Sequence, residues 1–374
     1  MARMNLVGKL FQSFVAEHIR NTSWEHGNDH PLVVELDPTA ACDLACPGCI
    51  SEDIVAAGNK FSNDRLITLG EEMIAAGVKG VILIGGGEPL AHPRVGELIT
   101  LLGDNDVHVG ITTNGTFIDR YLHEIAEHSF WTRVSMDAAT DQLFSLLRPS
   151  KSGKSKFNKI ISNMEKLSKV KKGAMGFSYL IQTEADGSDV VSNIHEIFDG
   201  AKLARELGCD YFEVKPTYQF RDGIDHALMK HNQDLMKKAR TEIARCYELE
   251  DENFSILEAI NLKASLDGVD TLQPKTYKTC PSTHLRTTLT AGGAYVCPYW
   301  RGKQQFMIGD LKQESFAEMW RGQRRQAVMA QLDVSKQCNF HCLRHDTNLM
   351  AIDLKNRLDT GEEIELVPEF DRFI

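Results

Sequence analysis

The sequence predicts an α/β protein built on parallel strands, and two observations carry that prediction. Six short apolar segments alternate with helical patterns over the first two thirds of the chain, an arrangement that packs as a parallel sheet curled into a partial barrel. Each of those six segments is followed at once by a polar motif, and in parallel βα barrels the loops at the carboxyl ends of the strands build the active site. Beyond about residue 250 the alternation stops, and at 374 residues there is room for a second, smaller unit.

In chain order, residues 1–30 hold an amphipathic segment (Leu6, Leu10, Phe11, Phe14, Val15, Ile19) that reads as a packed helical extension. It lacks the apolar stretch and small-residue cleavage site of a signal peptide. The first strand, 31–37, ends at Asp37, where a cysteine loop begins. A helix over 64–76 leads to the second strand, 80–84, and then to Gly85-Gly86-Gly87-Glu88-Pro89. A helix over 94–102 leads to the third strand, 107–111, followed by Thr112-Thr113-Asn114-Gly115. A helix over 118–127 precedes the fourth strand, 132–136, with Ser135 and Asp137 at its end. A helix over 157–167 precedes the fifth strand, 176–182, which ends at Gln182 and Thr183; a helix over 193–207 precedes the sixth, 211–215, which runs into Lys215, Pro216 and Thr217. Scattered Gly and Asn mark turns anywhere. Placed together at one mouth they mark a site. The expected organisation is an extension at 1–30, a core at 31–255, and a small α+β tail at 256–374.

The cysteine loop, Cys42-Asp-Leu-Ala-Cys46-Pro-Gly-Cys49, puts three thiols in eight residues with spacing CxxxCxxC. Thiolates are the usual holders of iron–sulfur clusters, and a fully protein-held cluster takes four of them. Three leave one iron open, and an open coordination position is what separates a catalytic metal centre from a structural one. Zinc-binding pairs normally return as a second pair close by, and none follows here for more than two hundred residues. A disulfide suits neither three cysteines in so short a run nor a chain without a secretory signal. At this spacing the chain resembles the radical S-adenosylmethionine (radical SAM) superfamily. The resemblance implies a (β/α)6 partial barrel and a [4Fe–4S] cluster on Cys42, Cys46 and Cys49 whose open iron chelates the amino and carboxylate groups of S-adenosylmethionine. It also implies the chemistry: one electron enters the sulfonium, and a 5′-deoxyadenosyl radical takes hydrogen from the substrate.

Carried onto this chain, the family's GGEP motif falls on Gly86, Gly87, Glu88 and Pro89. The glycines would let backbone approach the cofactor, and Glu88 would meet its amino group. No phosphate-loop pattern competes for that segment. Asn114 is a ligand contact or a plain turn residue. The strand-four motif implies Ser135 and Asp137 at the ribose hydroxyls. Arg148, in Leu146-Leu147-Arg148-Pro149, matches an arginine near the cofactor carboxylate, with a solvated helix-end arginine as the alternative. One position departs from the family. Where it carries an aromatic or bulky residue before the third cysteine this chain has Gly48, which leaves adenine packing to Ile50 or to a residue of the fifth or sixth strand.

The tail brings Cys280, Cys297, Cys338 and Cys342, with Gly292-Gly293 turning a hairpin between 286–289 and 294–296. With Met307-Ile-Gly-Asp-Leu311 and a helix over 315–321 it resembles the SPASM/twitch extension of the same superfamily. Four cysteines instead of seven imply the shorter twitch form with one auxiliary [4Fe–4S] cluster. A structural zinc site is the competing reading, and His341 and His345 stand near as substitute ligands. Cys209 and Cys246 are by default inert buried thiols. By resemblance to radical epimerases, Cys246, outside the barrel strands, is the candidate hydrogen-atom donor.

Composition is that of an ordinary globular protein, 42% hydrophobic and 25% charged. A net charge of −10 argues against sequence-independent nucleic-acid binding, and no apolar run reaches membrane-spanning length. Nine cysteines without a secretory signal point to reduced thiols and a cytoplasmic enzyme. About thirty residues precede the first strand, fewer than a leader-recognition domain needs, so the expected substrate is small and polar. A sugar or cyclitol would be dehydrogenated or epimerised by an oxidoreductase or isomerase. The alternatives are a peptide maturase that cross-links or epimerises ribosomal peptides, and a non-catalytic iron–sulfur electron-transfer or scaffold protein. The implied reductant is a flavodoxin or ferredoxin, for which Lys166, Lys169, Lys171 and Lys172 offer a small basic patch.

Overall fold

The computed structural model describes residues 6–183, 192–221, 224–227, 233–267, 273–340 and 342–374. All six expected strands form: β1 (Val33–Asp37), β2 (Gly80–Leu83), β3 (His108–Thr113), β4 (Ser129–Ser135), β5 (Ala174–Ile181) and β6 (Tyr211–Pro216). Each pairs in parallel with the next. The intervening helices supply the outer layer, against which the apolar outer face of these strands packs. Helix Asn63–Ala76 starts where the Ser62 side chain accepts the Arg65 amide, and helix Phe316–Arg321 starts at a Ser315/Glu318 capping box. The patterns at 118–127 and 193–207 begin as 3₁₀ turns, Ile118–Tyr121 and Ile194–Glu196, before continuing as α-helix. Two short helices were not legible in the periodicity, Glu52–Ala57 after the cysteine loop and Asp141–Leu147 after β4.

The sheet is longer than expected. After an antiparallel pair that stands apart, β7 (Tyr218–Arg221) and β8 (Ile224–Ala227), strand β9 (Ser255–Glu258) joins in parallel beside β6. At the other edge β10 (Arg286–Thr290) joins in parallel beside β1, followed by the antiparallel β11 (Gly293–Tyr295) and β12 (Met307–Gly309). The result is one ten-stranded sheet that runs across the boundary expected after residue 255. An exposed strand edge is a row of unpaired backbone groups, and β1 offers such an edge until the wholly buried β10 covers it. The sheet curls around a cavity. Side chains on one face line it, from Arg286 and Glu35 at one side through Ile82, Arg133 and Leu180 to Glu213 and Leu257 at the other.

The N-terminal segment packs as anticipated. Helix Ser13–Asn21 lies against helix His345–Asp359, and Leu10, Val15, Ile19, Leu354, Leu358 and Phe373 form a second core separate from that of the barrel. Both ends of the described chain therefore share one cluster. Phe373 sets its ring 6.0 Å from Phe130 and edge-on to Trp131 at 5.4 Å, which fastens the last residues beneath the barrel. Among the described residues no helix is long and apolar enough to cross a membrane.

Truncating that fastener, Phe373→Ala, removes a large buried ring that packs on Phe130 and Trp131 at the edge of the cavity. The expected cost is about 3 kcal/mol, read as a lower urea midpoint with unchanged slope. A loss below about 1 kcal/mol would show that the ring does not hold the floor.

Candidate active site

The loop that follows β1 is clipped in place by backbone. Ala45 N–H donates to Pro149 C=O at 2.7 Å and Lys151 N–H to Asp43 C=O at 2.9 Å, so the loop rides on the segment after helix Asp141–Leu147. Within it Cys49 N–H donates back to Cys46 C=O, with Pro47 second and Gly48 third at φ +67°, the pattern of a type II turn. Gly48 thus has a conformational role. A side chain would find open space but a left-handed backbone. The turn sets Cys46 and Cys49 on one side of the cavity, where Ile50 also stands.

All three thiols are half-buried. Burial pushes Cys42 up to about 11, with Glu88, Cys46 and Asp43 adding to it, and burial raises Cys46 as well. Thiols so placed hold their protons until a cation takes them, which is what an iron–sulfur cluster does.

The strand-end motifs tie the mouth together. Asp37 at the end of β1 accepts the Gly86 amide at 2.5 Å, and its Oδ1 is buried without a partner among the described residues. Burial, eased by the Gly86 amide and Arg301, pushes this carboxyl up to about 6. The glycines have a steric role in the fold. A Cβ on Gly87 would lie 2.4 Å from the Ala41 carbonyl oxygen, and one on Gly86 would lie 2.3 Å from Ile54. These residues seat the β2 loop against the cysteine loop and its helix; like Cys42, Glu88 and Asn114, they are not among the residues that line the cavity.

Glu88 is buried and already bridges two loops. It accepts from Thr113 Oγ1 at 2.7 Å, the Leu90 amide at 3.0 Å and the Asn114 amide at 2.6 Å. A carboxylate offers about four acceptor positions, so one is left for a ligand amine. Burial carries Glu88 up to about 7 against the pull of those three donors. Asn114 turns toward the cysteines, donating to Asp43 Oδ1 at 2.9 Å with Cys42 Sγ 3.9 Å away.

Asp137 and Arg148 form a buried pair that lines the cavity. Asp137 Oδ2 receives Arg148 Nε at 2.8 Å and Nη2 at 2.5 Å, while Oδ1 receives the Leu180 amide. Asp137 sits at φ +60°, a conformation that a non-glycine residue keeps only when its surroundings over-determine it. Arg148 is thus no solvated helix-end residue. Burial opposes its charge, but Asp137 and the cysteine thiols hold its pKa above the usual arginine value. Ser135, expected beside Asp137 at the ribose, does not line the cavity.

The cavity measures about 660 Å³. Gln182, Lys215 and Thr217 line it as the strand-end logic anticipated, and Thr183 is buried outside it. The sequence reading missed the charged residues of its interior: Glu35, Arg133, Glu213 and Arg286. The signal was present as charges at alternate positions inside otherwise apolar strands, as in Val33-Val34-Glu35 and Phe212-Glu213-Val214-Lys215.

Next to it is a second cavity of about 130 Å³, and all four tail cysteines line it. Asn348 Nδ2 donates to Cys280 Sγ at 3.2 Å and the Arg344 amide to Cys342 Sγ at 3.4 Å. Burial raises every one of the four thiols. Four enclosed thiols with amide donors fit a cluster. His345 stacks on Tyr277 and bonds its hydroxyl, which makes it packing for this cavity; His341 lies outside the described residues. The two cavities share a wall that includes Glu35, Arg286, Tyr299 and Arg344.

Two expectations are corrected by placement. Cys246 is no donor at the mouth: it is fully buried in the outer layer at the end of helix Gln233–Cys246, its thiol against the Glu242 carbonyl at 3.2 Å. Burial pushes it up to about 12, and Cys209 is raised likewise. Of the basic patch, Lys171 is engaged by Asp210 at 2.7 Å and Lys172 by Glu127, which leaves Lys166 and Lys169 for a reductant.

Arg148→Met strips the partner from a carboxylate that is 2% exposed. The expected loss is about 3 kcal/mol of stability, checked by urea unfolding, and Arg148→Lys should recover part of it. Equal stability of Met and wild-type chains would show that water already reaches Asp137.

Comparison with known proteins agrees with this geometry. Residues 36–192 match the Radical SAM superfamily, a span that encloses Cys42, Cys46, Cys49, Glu88, Asn114, Asp137 and Arg148. Mycofactocin maturase MftC of Mycobacterium ulcerans is 29% identical over 189 residues, 50% of this chain and 47% of that protein. AdoMet-dependent heme synthase of Methanosarcina barkeri is 28% identical over 188 residues, 49% and 50% of the two chains. This chain spans about half the length of these curated relatives. The crystal structure of Streptococcus suis SuiB bound to precursor peptide SuiA shares the fold, with a TM-score of 0.60 at 14% identity over 89% of this chain and 74% of that one. The family uses S-adenosylmethionine and a [4Fe–4S] cluster, and the thiols and strand-end residues at this mouth fit both. Residues 36–192 are a radical SAM domain, and this domain holds the three-cysteine loop and the strand-end motifs.

Proposed function

We propose that this radical SAM enzyme modifies a peptide, the alternative to the small polar substrate that the short N-terminal segment suggested. The observation that carries the reading is the rim of the cavity. Ile50, Ile260 and Leu343 are large apolar side chains exposed to water, and all three line the same opening. Clustered exposed apolar groups mark a surface that a partner covers. Below them the cavity turns polar and charged, so the occupant has an apolar stretch outside and a polar group within. A peptide has both. The maturase among the relatives and the peptide-bound SuiB are in keeping with it.

S-adenosylmethionine, when bound with the cluster, supplies the radical that removes hydrogen from substrate. The chain would do the rest by holding and shielding. Cys42, Cys46 and Cys49 would carry the cluster on a loop fixed by Pro149 and Lys151. Glu88 would use its remaining acceptor position for the cofactor's amine, and the Asp137–Arg148 pair would stand beside its ribose and carboxylate. Ile82, Ile84 and Leu180 give the upper barrel dry walls. Cys280, Cys297, Cys338 and Cys342 would hold an auxiliary cluster just across the shared wall, near enough to take part in electron transfer.

Anaerobic reconstitution should load about eight irons per chain, and Cys297→Ala should lower this to about four. Four irons and one zinc in the wild type would sink the auxiliary-cluster assignment. Dithionite and S-adenosylmethionine should then yield 5′-deoxyadenosine, with none from Cys42→Ala. Candidate peptides should raise that yield and lose hydrogen by mass spectrometry. Amino sugars doing so in their place would return the reading to a small polar substrate.

A further inference from the structure

The charges around the main cavity do not balance. Among the described residues six cationic side chains and four carboxylates line it, and each of those carboxylates is already engaged. Asp371 pairs with Lys9 at 2.9 Å, Glu35 with Arg286, and Asp137 with Arg148. The fourth, Glu213, serves two cations: Arg133 through contacts of 3.0 and 3.3 Å, and Lys215 through one oxygen at 3.4 Å. Two positive charges are therefore left over. One lies inside the barrel in the Arg133–Glu213–Lys215 group. The other is Arg344 at the wall shared with the cysteine cavity, its Nη1 buried without a hydrogen-bond partner among the described residues.

This surplus sits in a chain whose net charge is −10, so it is not a sample of a basic surface. Low-dielectric walls strengthen its field. Arg133 Nε is a further buried donor without a partner among the described residues. A buried charge without a counter-charge is costly, and proteins keep one where the ligand brings the counter-charge. The cofactor would not remove the surplus inside the barrel, because its sulfonium adds one positive charge and a cluster on three thiolates adds one net negative charge, whereas a four-thiolate cluster would answer Arg344 at the shared wall.

We propose that the substrate enters this cavity through a carboxylate, received inside the barrel by Lys215 with Arg133 beside it. The surplus there is a single charge, which matches a carboxylate better than a phosphate monoester of about two charges. Lys215 is the anchor because Arg133 is committed to Glu213 by two contacts and to Thr112 by a third at 3.1 Å. The proposal rests on the reading that this cavity takes the substrate, and it names the group that a peptide would insert, an acidic side chain.

The experiment is calorimetry on the anaerobically reconstituted full chain loaded with S-adenosylmethionine. One probe pair is a capped pentaalanine peptide carrying a central Glu or Gln. The other is glucuronate and glucose. In at least one pair the acid should bind roughly tenfold more tightly than its neutral partner, the scale of a hydrogen bond to a charged group. Lys215→Met should bring that ratio near one and Lys215→Arg should keep it, with iron content and melting temperature confirming that both variants fold. Equal binding of acid and neutral partners overturns the proposal, and so does failure of every carboxylate probe to bind. A preference that survives Lys215→Met but disappears in Arg344→Met also overturns it. If only the sugar pair shows the preference, the carboxylate site stands and the peptide reading falls. If peptides bind without preference, the reverse holds.

Discussion

The parallel pairing of β10 with β1 is the contact on which the rest of this architecture depends. It joins residues some 250 positions apart, Val33 to Arg286 and Asp37 to Thr290 among them, and so lays the tail along the flank of the barrel. From it follow the buried Glu35–Arg286 pair, the wall common to both cavities, and the closeness of the two cysteine sets. Arg301, four residues after Cys297, reaches Ser51 Oγ at 2.6 Å, two residues after Cys49. The two cysteine-bearing loops are thus connected by a side chain as well as by a sheet.

Around the mouth, buried polar groups do what loops alone cannot. Asp37 holds the β2 loop through Gly86, Glu88 holds the β3 loop through Thr113 and Asn114, and Asn114 holds the cysteine loop through Asp43. The first two links join consecutive strand ends and the third returns from β3 to the loop after β1, so the cysteines stand on a framework with little freedom. In a low dielectric such linked hydrogen bonds are strong when satisfied and costly when broken. The glycines between them matter because backbone must meet backbone there. Gly86 and Gly87 there seat the β2 loop against the cysteine loop.

Thiols and the Asp137–Arg148 pair lie toward the strand ends, Arg133 and Glu213 stand on the barrel wall, and Lys215 is level with Leu180 in the register of β5 and β6. Apolar rim, dry wall and charged interior together describe an occupant with an apolar outer part and an anionic inner part. The second core, shared by the N-terminal helix and the helix His345–Asp359, closes the opposite end with Phe373.

By itself the sequence determined what is local. Strand periodicity located β1 to β6, the CxxxCxxC spacing in one loop identified the three-thiol site, and polar residues after strand ends named Glu88, Asn114, Asp137, Arg148 and Lys215. All of these signals lie within a few residues of one another, where covalent geometry and side-chain period decide the outcome. What only the tertiary structure decided is non-local. A tail strand covers the edge of β1, Cys246 packs in the outer layer, Ser135 is left out of the cavity lining, and Glu35, Arg133 and Glu213 share one interior. A charge in an apolar strand is written in the sequence, but the partner it meets is set by how the sheet curls.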